Sequence, residues 1–447
     1  MSDGAGAPSG DAHDRGDVRL AAASLWALVR RWRLSRELKA VRFRRLGVDS
    51  GNFSYADEAP EQAVRDPIPG MGPGVNLYGY LTGEFGLGQS ARMYARALLA
   101  VGYPVALNEV PIEIPHARNE RSLDAYLGQD ACHPINLVFV NPDHYAELLP
   151  VLRPGTYSIG FWFWELEVVP DAWRALVERV DEIWVASRFV EDAFRSITDK
   201  PVVRIPHPLQ VRRVVGWRRR SFDLDDEAFV FLHSFDFNSS IHRKNPQAVI
   251  DAFVRAFEGR HDRVQLMLKT SNGHLYPDAL RQLRRSARRD GRIVVRDQVL
   301  DTMQLEALQE AADAYVSLHR AEGLGLGMAE CMARGKPVIG TGWSGNLEFM
   351  TPENSLLVGY RLIPVAEGQY ALADQGRWAE ADVAQAAQWM RRLVDERWLP
   401  ATIGAAARAD IGNRMNFREA ARVMAARLAE LAGSGRLYGH VSEQSSR

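Results

Sequence analysis

The stretch ADAYVSLHRAEGLGLGMAECMARGKPVIG, residues 312–340, contains the pattern that predicts the fold. Its apolar run reads as a strand ending near residue 319, a glycine-rich loop follows, and a helix bearing Glu330 comes next. The apolar run 337–341 predicts the next strand. This order is typical of a parallel βαβ unit, whose ligands bind beyond the carboxyl ends of the strands.

The loop itself suits a phosphorylated ligand. Glycines allow the backbone to approach a ligand closely, and a helix N-terminus offers free N–H groups and positive potential. Two carboxylates flank the loop, Glu322 and Glu330, with seven residues between them. Carboxylate oxygens accept hydrogen bonds from sugar and ribose hydroxyls. The predicted loop residues of the site are Gly323, Leu324, Gly325, Leu326 and Gly327.

The Glu-x7-Glu spacing within AEGLGLGMAECMARGKPVIG resembles that of the retaining family 4 glycosyltransferases. The resemblance implies a GT-B fold: an α/β protein with two Rossmann-like doubly wound domains and an interdomain cleft. It places Glu322 on the donor sugar, Glu330 on the ribose, and loop amides on sugar or phosphate. It also implies a nucleotide-diphosphate sugar as donor, retention of configuration, and neither a cofactor nor an essential metal.

A second segment, SFDFNSSIHRKNPQAVIDAFVRAF (234–257), contains Arg243 and Lys244 just before a predicted helix. The resemblance places such cations against the donor diphosphate, where fixed positive charge lowers the barrier for a departing anion. Many relatives separate the pair by five residues and follow the lysine with glycine; here the two are adjacent and Asn245 follows. Arg243 therefore has a second interpretation, as a surface charge. Two strand-end residues, Lys269 and His319, are also expected on the donor side.

In the first half of the chain, GYLTGEFGLGQSARMYARAL (79–98) places a glycine loop between a strand and a helix. The order G-x-x-G-x-G differs from the dinucleotide-binding G-x-G-x-x-G, so that match is weak. The loop is similar to the GE-x-G-x-G loop of the same glycosyltransferases, which faces donor and acceptor. Glu84 is either part of that surface or structural. The glycines expected there are Gly83, Gly86 and Gly88.

Three more residues are expected to line the cleft from this half. His144 follows the predicted strand 135–140 and suits a sugar or acceptor hydroxyl. The alternative for this segment is a helix cap formed by Asn141 or Asp143. Trp164 and Glu165 lie in GFWFWELEVVPDAW (160–173), which is similar to a segment of the relatives. Aromatic faces stack on sugars, and packing in the core is the alternative for Trp164.

Composition and patterning predict the domain organisation. Two successive α/β regions, 74–211 and 229–398, are separated by a charged, irregular linker, 212–228. Helices and a tail are expected over 399–447, a disordered tail over 1–17, and a basic helical extension over 18–73. Residues 18–47 mix tryptophan and leucine with arginine, which indicates either a peripheral membrane contact or a helix docked on the body.

The net charge, the cysteine count and the N-terminal pattern argue against other classes of protein. Lys+Arg 55 against Asp+Glu 56 gives a net charge of −1, so no nucleic-acid partner is expected. Two cysteines without metal-ligand spacing favour a reducing compartment, and the N-terminus lacks a signal-peptide pattern, so a cytoplasmic location is expected. The predicted function is transfer of a hexose from a nucleotide sugar to a saccharide or lipid-linked acceptor. A sugar-nucleotide epimerase and a non-catalytic sugar-nucleotide-binding scaffold are the alternatives.

Overall fold

The computed structural model describes residues 53–56, 72–370, 376–434 and 437. The expectations for residues 1–17, and nearly all of those for 18–73, lie outside these ranges. The described part contains two six-stranded parallel sheets and two short antiparallel strand pairs. None of its helices is long and apolar enough to cross a membrane.

The strands of the described residues are β1 (Ser54–Tyr55), β2 (Val75–Gly79), β3 (Val105–Glu109), β4 (Ile135–Phe139), β5 (Tyr157–Phe161), β6 (Glu182–Val185), β7 (Val202–Arg204), β8 (Val214–Val215), β9 (Phe229–Asp236), β10 (Val264–Ser271), β11 (Ile293–Asp297), β12 (Ala314–Ser317), β13 (Val338–Thr341), β14 (Leu356–Val358), β15 (Tyr360–Pro364) and β16 (Arg377–Ala381). The helices are α1 (Gly86–Ala100), α2 (Pro142–Leu148), α3 (Arg174–Val177), α4 (Arg188–Arg195), α5 (Ile241–Lys244), α6 (Pro246–Phe257), α7 (Pro277–Ala287), α8 (Thr302–Ala311), α9 (Leu326–Ala333), α10 (Val383–Asp395), α11 (Leu399–Arg414) and α12 (Phe417–Gly433).

Each large sheet is parallel throughout and has one point where the strand order reverses. The first sheet runs β3-β2-β4-β5-β6-β7, with its reversal between β2 and β4. The second runs β11-β10-β9-β12-β13-β14, the Rossmann order, with its reversal between β9 and β12. Crossover loops diverge at such a point and leave a crevice, so the loops after β9 and β12 lie at a binding position.

The central strands of the first sheet, β2 and β4, are buried along their whole length, which explains why they read as apolar runs. Every residue of β2 and β4 is buried. The one polar pair inside them is satisfied, because Asn76 Nδ2 donates to Asn136 Oδ1 at 3.0 Å. The edge strand β3 was not predicted from the sequence, since its five residues include Asn108 and Glu109 and give no clear apolar run.

The end of the chain returns to the first sheet. Arg427 of α12 donates from Nη2 and Nε to the two carboxylate oxygens of the fully buried Glu182, at 2.7 and 2.9 Å. Met424 and Leu428 on the same helix are buried in the core that includes Tyr94 of α1. The C-terminal helices therefore do not form a separate unit in space.

The segment predicted as a linker is partly structured. It contains β8, which pairs antiparallel with β1. Arg219 contacts Asp313 at 2.7 Å and donates to the carbonyl of Ala228 at 2.6 Å, so this arginine is not simply solvated.

A hairpin of β15 and β16 leaves the second sheet and reaches the first domain. Its antiparallel register runs from Tyr360 opposite Ala381 to Pro364 opposite Arg377. Trp378 on β16 is fully buried in a cluster with Trp162 and Trp164 of the first domain. The hairpin thus joins the two domains by apolar packing.

The free energy of unfolding is expected to decrease as the pH is lowered, because of His207, which follows β7. Its ring is buried, Nε2 lies 2.9 Å from Ser90 Oγ, and burial lowers its pKa from 6.5 to about 3. The unfolded chain takes up a proton below pH 6.5 while the folded chain does not, so acidification from pH 6.5 to 5 costs about 2 kcal/mol. His207→Gln should remove this share of the pH dependence of urea unfolding. Equal pH dependence in both proteins would contradict it.

Candidate active site

The loops after β9 and β12 bring two cations onto one carboxylate. Glu322 is 7% exposed. Its Oε1 lies 2.5 Å from Lys244 Nζ, and its Oε2 lies 3.1 Å from Arg243 Nη1. The structure therefore brings together Glu322, which the resemblance places on the donor sugar, and the two cations that it places on the donor diphosphate.

The short helix α5 holds both cations in place. Ser240, with a φ of 64°, precedes it, and its Oγ accepts from the Arg243 amide at 3.4 Å. The Arg243 guanidinium also donates to the carbonyls of Ser239 (3.2 Å) and Ala321 (2.9 Å). Arg243 is 4% exposed, so its alternative interpretation as a surface charge does not apply.

The electrostatics keep Glu322 ionised. Burial works against its charge, but the attraction of Lys244 and then Arg243 outweighs burial and holds its pKa at about 2, against an ordinary 4.5. Burial lowers the pKa of Lys244, and Glu322 opposes that shift. At neutral pH the carboxylate is therefore fully charged and carries two hydrogen-bonded cations.

At its glycine positions, the loop between β12 and α9 leaves no free space for a side chain. A Cβ on Gly323 would lie 3.0 Å from the carbonyl oxygen of Trp164, and one on Gly327 would lie 2.9 Å from Tyr315 Oη. Gly325 precedes α9 with a φ of 95°. On the N-domain side, Ser187 Oγ donates to the Gly323 carbonyl at 2.6 Å. The loop is thus fixed from both domains, with Leu324 buried beneath it and Leu326 at the first position of α9.

Gly325→Ala is expected to lower the free energy of unfolding by about 1–2 kcal/mol, because the left-handed φ is strained for any residue with a Cβ. The added Cβ would also meet Met328 Cε. Gly86→Ala is the matched control: it opens α1 and has no atom within 4 Å of the added Cβ. Chemical denaturation measures both. A Gly325 variant as stable as the Gly86 variant would contradict the expectation.

Glu330, the second carboxylate of the motif, is held by two amides. Gln89 Nε2 of α1 donates to its Oε1 at 2.5 Å, and Gln309 Nε2 of α8 donates to its Oε2 at 2.6 Å. Gln89 belongs to the first domain and Gln309 to the second, so Glu330 lies where the two domains meet.

His319 has a role inside the second domain. It is fully buried, with Nδ1 3.1 Å from Ser317 Oγ and Nε2 3.0 Å from Asn346 Oδ1. Burial lowers its pKa, so the ring is neutral at physiological pH. Thr341 Oγ1 also donates to the His319 carbonyl at 2.7 Å. These bonds hold the backbone just before Glu322.

Lys269, at the end of β10, is 8% exposed, and no hydrogen bond or ion pair to its ammonium is found among the described residues. Burial lowers its pKa, with Asp236 and Asp297 the largest opposing charges. Asp236 Oδ2 accepts a hydrogen bond from Asn272 Nδ2 at 2.8 Å. Lys269 is thus a buried cation at the carboxyl edge of the second sheet.

The first glycine loop turns tightly around Arg92. A Cβ on Gly88 would lie 2.6 Å from the Tyr80 carbonyl oxygen and 2.8 Å from that of Gly83. Arg92 donates to the Gly83 carbonyl at 2.7 Å from beneath. Glu84 accepts from Asn119 at 3.3 Å, and Gly86 starts α1.

The three cleft residues expected after β4 and β5 have different environments. His144 Nδ1 lies 3.0 Å from Glu147 Oε1 on the same short helix, and Asn141 uses its side chain to accept from the Phe163 amide rather than to cap that helix. Trp164 is 5% exposed, and its indole donates to the Val168 carbonyl at 2.9 Å, so its face packs in the core. Glu165 lies 3.5 Å from Arg243 across the domain boundary.

Several residues of this region gave no signal in the sequence. Gln89, Ser187 and Tyr370 reach the site from parts of the chain far from the motif, and Gln309 reaches it from the helix just before β12. Each is an isolated polar residue in the sequence. Among the described residues no group of three His, Cys, Asp or Glu side chains is arranged to hold a metal ion.

The chain resembles known proteins in part of its sequence and in its fold. Residues 230–375 match the family described as "Glycosyl transferases group 1", a span that contains Glu322, Glu330, Arg243, Lys244 and Lys269. No curated protein matches the chain.

Solved structures show the same fold. Sucrose-phosphate synthase from Thermosynechococcus elongatus aligns with a TM-score of 0.59 at 16% identity, covering 83% of this chain and 100% of that one. Anabaena HepE in complex with UDP and glucose aligns with a TM-score of 0.55 at 14% identity, covering 80% and 100%. A Rickettsia africae glycosyltransferase aligns with a TM-score of 0.57 at 12% identity, covering 82% and 99%. The predicted GT-B fold is confirmed.

Proposed function

We propose that this GT-B protein transfers a hexose from a nucleotide-diphosphate sugar to a saccharide or lipid-linked acceptor, with retention of configuration and without a metal. The observation that supports it most directly is the Glu322–Lys244–Arg243 cluster beside the glycine loop, at the reversal point of the second sheet. The "Glycosyl transferases group 1" match covers this cluster. Anabaena HepE, of the same fold, was solved with UDP and glucose.

The chemistry follows from the charges. The bond between the anomeric carbon and the diphosphate oxygen breaks, and negative charge develops on the leaving diphosphate. Lys244, Arg243 and the loop amides stabilise that charge. The acceptor oxygen bonds to the anomeric carbon on the same face, and its proton passes to the departing phosphate oxygen. Glu322 orients the sugar by accepting hydrogen bonds from its hydroxyls rather than acting as a nucleophile.

Lys244 and Arg243 supply two fixed positive charges that can stabilise the leaving diphosphate, and this is why we propose a metal-independent reaction. Glu330, held between Gln89 and Gln309, is assigned to the ribose. Lys269 and the amides of the loop are assigned to the nucleotide. We further propose a cytoplasmic location, with residues 18–47 touching an anionic membrane surface near a lipid-linked acceptor.

Donor binding is expected to raise the melting temperature, because a ligand that binds the folded state stabilises it. Purified protein would be titrated with a panel of nucleotide-diphosphate sugars, with and without EDTA. A shift of several degrees with one donor, insensitive to EDTA and absent in Glu330→Ala, is the expected result. Glu348→Ala, which removes a half-buried interdomain carboxylate that contacts Arg204 and the Arg188 amide, is the control and should keep the shift.

Other outcomes would point to the alternatives. If a nucleotide sugar shifts the transition but no sugar is transferred to any of a wide set of acceptors, the chain is a non-catalytic sugar-nucleotide-binding scaffold. If no nucleotide sugar shifts the transition, the transferase proposal is wrong. If the donor is converted without an acceptor and no sugar is transferred, the protein is an epimerase on the same fold.

A further inference from the structure

The Arg243 guanidinium has one side turned to the first domain. Its Nη1 and Nε are used within the second domain, by Glu322, Ala321 and Ser239. Its Nη2 lies 3.5 Å from Oε1 of Glu165, which follows β5 of the first sheet. The same arginine therefore links the donor-side carboxylate to a carboxylate on the opposite domain.

The other oxygen of Glu165 has its own partner. Tyr370 Oη donates to Glu165 Oε2 at 2.5 Å. Tyr370 lies in the connection between β15 and β16, and the Arg243 guanidinium carbon lies 5.9 Å from the centre of its ring. Tyr370 thus contacts both members of the Arg243–Glu165 pair.

The hairpin that carries Tyr370 is firmly attached to the site. Ser240 Oγ, at the start of α5, donates to the Gln369 carbonyl at 2.9 Å. Arg320 pairs with Glu380 of β16 at 2.7 Å. Because Trp378 is also buried between the domains, the position of the Tyr370 hydroxyl is defined by packing on both sides.

Both carboxylate oxygens of Glu165 have partners: Oε2 accepts from the Tyr370 hydroxyl, and Oε1 faces the Arg243 guanidinium. The same contacts suit orientation, because a guanidinium has a fixed planar set of donors. We propose that Glu165 and Tyr370 are positioning residues that hold Arg243 in the orientation needed to bind the leaving diphosphate. This inference rests on the proposed transferase function.

The contact also depends on the domain arrangement. Glu165 belongs to one domain, and Arg243 and Tyr370 belong to the other. Any separation of the domains breaks it, so the orientation of Arg243 is complete only when the cleft is closed.

The test uses Glu165→Gln and Tyr370→Phe in the full chain, with steady-state kinetics on a nucleotide sugar and acceptor. We expect kcat to fall about 10- to 100-fold in each, with a smaller change in donor KM, because misplacing a group that acts in the transition state lowers the chemical step. Glu167→Gln is the matched control. Glu167 lies two residues away and pairs with Arg377 of the same hairpin at 3.3 Å, but the pair is solvent-exposed. It should leave kcat unchanged.

A double-mutant cycle shows whether Glu165 acts through Arg243. If it does, Glu165→Gln adds no further loss in an Arg243→Gln background. Independent, multiplicative effects would overturn the proposal, as would variants of Glu165 and Tyr370 that match the Glu167 control. Tyr370→Phe keeps the test decisive if Glu165→Gln fails to fold. A wild-type protein that turns over no nucleotide sugar would instead contradict the proposed function itself.

Discussion

Lys244→Ala is expected to lower kcat for sugar transfer by about 10²- to 10³-fold, the loss found when one fixed donor to a developing anion is removed. Lys244 Nζ lies at the reversal point of the second sheet, 2.5 Å from Glu322. Its proposed role is that of a point charge near the leaving diphosphate. Steady-state kinetics at saturating donor measure the change.

Lys336→Ala is the control for loss of a partly buried lysine. Its ammonium donates to the Glu310 carbonyl at 2.8 Å, beyond the far end of α9 from the glycine loop. Lys336→Ala should leave kcat unchanged. A Lys244 variant with wild-type kcat would contradict the assignment of this lysine to the diphosphate.

Glu322→Gln is expected to have two separable effects. It should lower kcat by about 100-fold, because the neutral amide no longer orients the sugar or fixes the two cations. It should also destabilise the fold by about 3 kcal/mol, since Arg243 and Lys244 stay buried without their shared counter-charge. Kinetics and urea unfolding measure the two effects.

The pH dependence gives an independent check on the same residue. The folded pKa of Glu322, about 2, is below its ordinary 4.5, so its contribution to stability is fully present above pH 4.5 and is lost as pH falls towards 2. The wild-type protein should therefore lose about 3 kcal/mol more than Glu322→Gln over that interval. Parallel acid-unfolding curves would show that Glu322 is not held in its charged form.

Glu182→Gln separates stability from chemistry. Glu182 is fully buried and paired with Arg427, as Glu322 is paired with its cations, but it lies at the start of β6, away from the carboxyl edge. We expect a comparable loss of stability with kcat unchanged. If Glu182→Gln lowered kcat as much as Glu322→Gln, the kinetic loss would reflect stability alone.

Many residues of the candidate site were predictable because they lie close together in the sequence. Glu322, Glu330 and the loop glycines lie in one stretch of nine residues, and Arg243 and Lys244 are neighbours in sequence. The order of strand, loop and helix in the sequence places these residues after particular strands. In a parallel sheet the carboxyl ends of all strands lie at the same edge, so the residues come together there. Trp164 shows the limit: its sequence context fits a sugar-stacking face and a core position equally, and only its 5% exposure distinguishes the two.

The sequence by itself determined the βαβ pattern, the two-domain α/β organisation and the position of the glycine loop between a strand and a helix, because apolar periodicity and loop composition act over a few residues. The tertiary structure alone decided which distant side chains complete the site. The contacts of Gln89 with Glu330, Ser187 with Gly323, and Glu165 with Tyr370 join residues more than 100 positions apart in sequence. The contact of Glu165 with Arg243 likewise joins residues of different domains. The return of α12 to the first sheet is of the same kind. Such contacts depend on how two folded domains pack together. The sequence around a single polar residue on a helix does not indicate which distant residue it will contact.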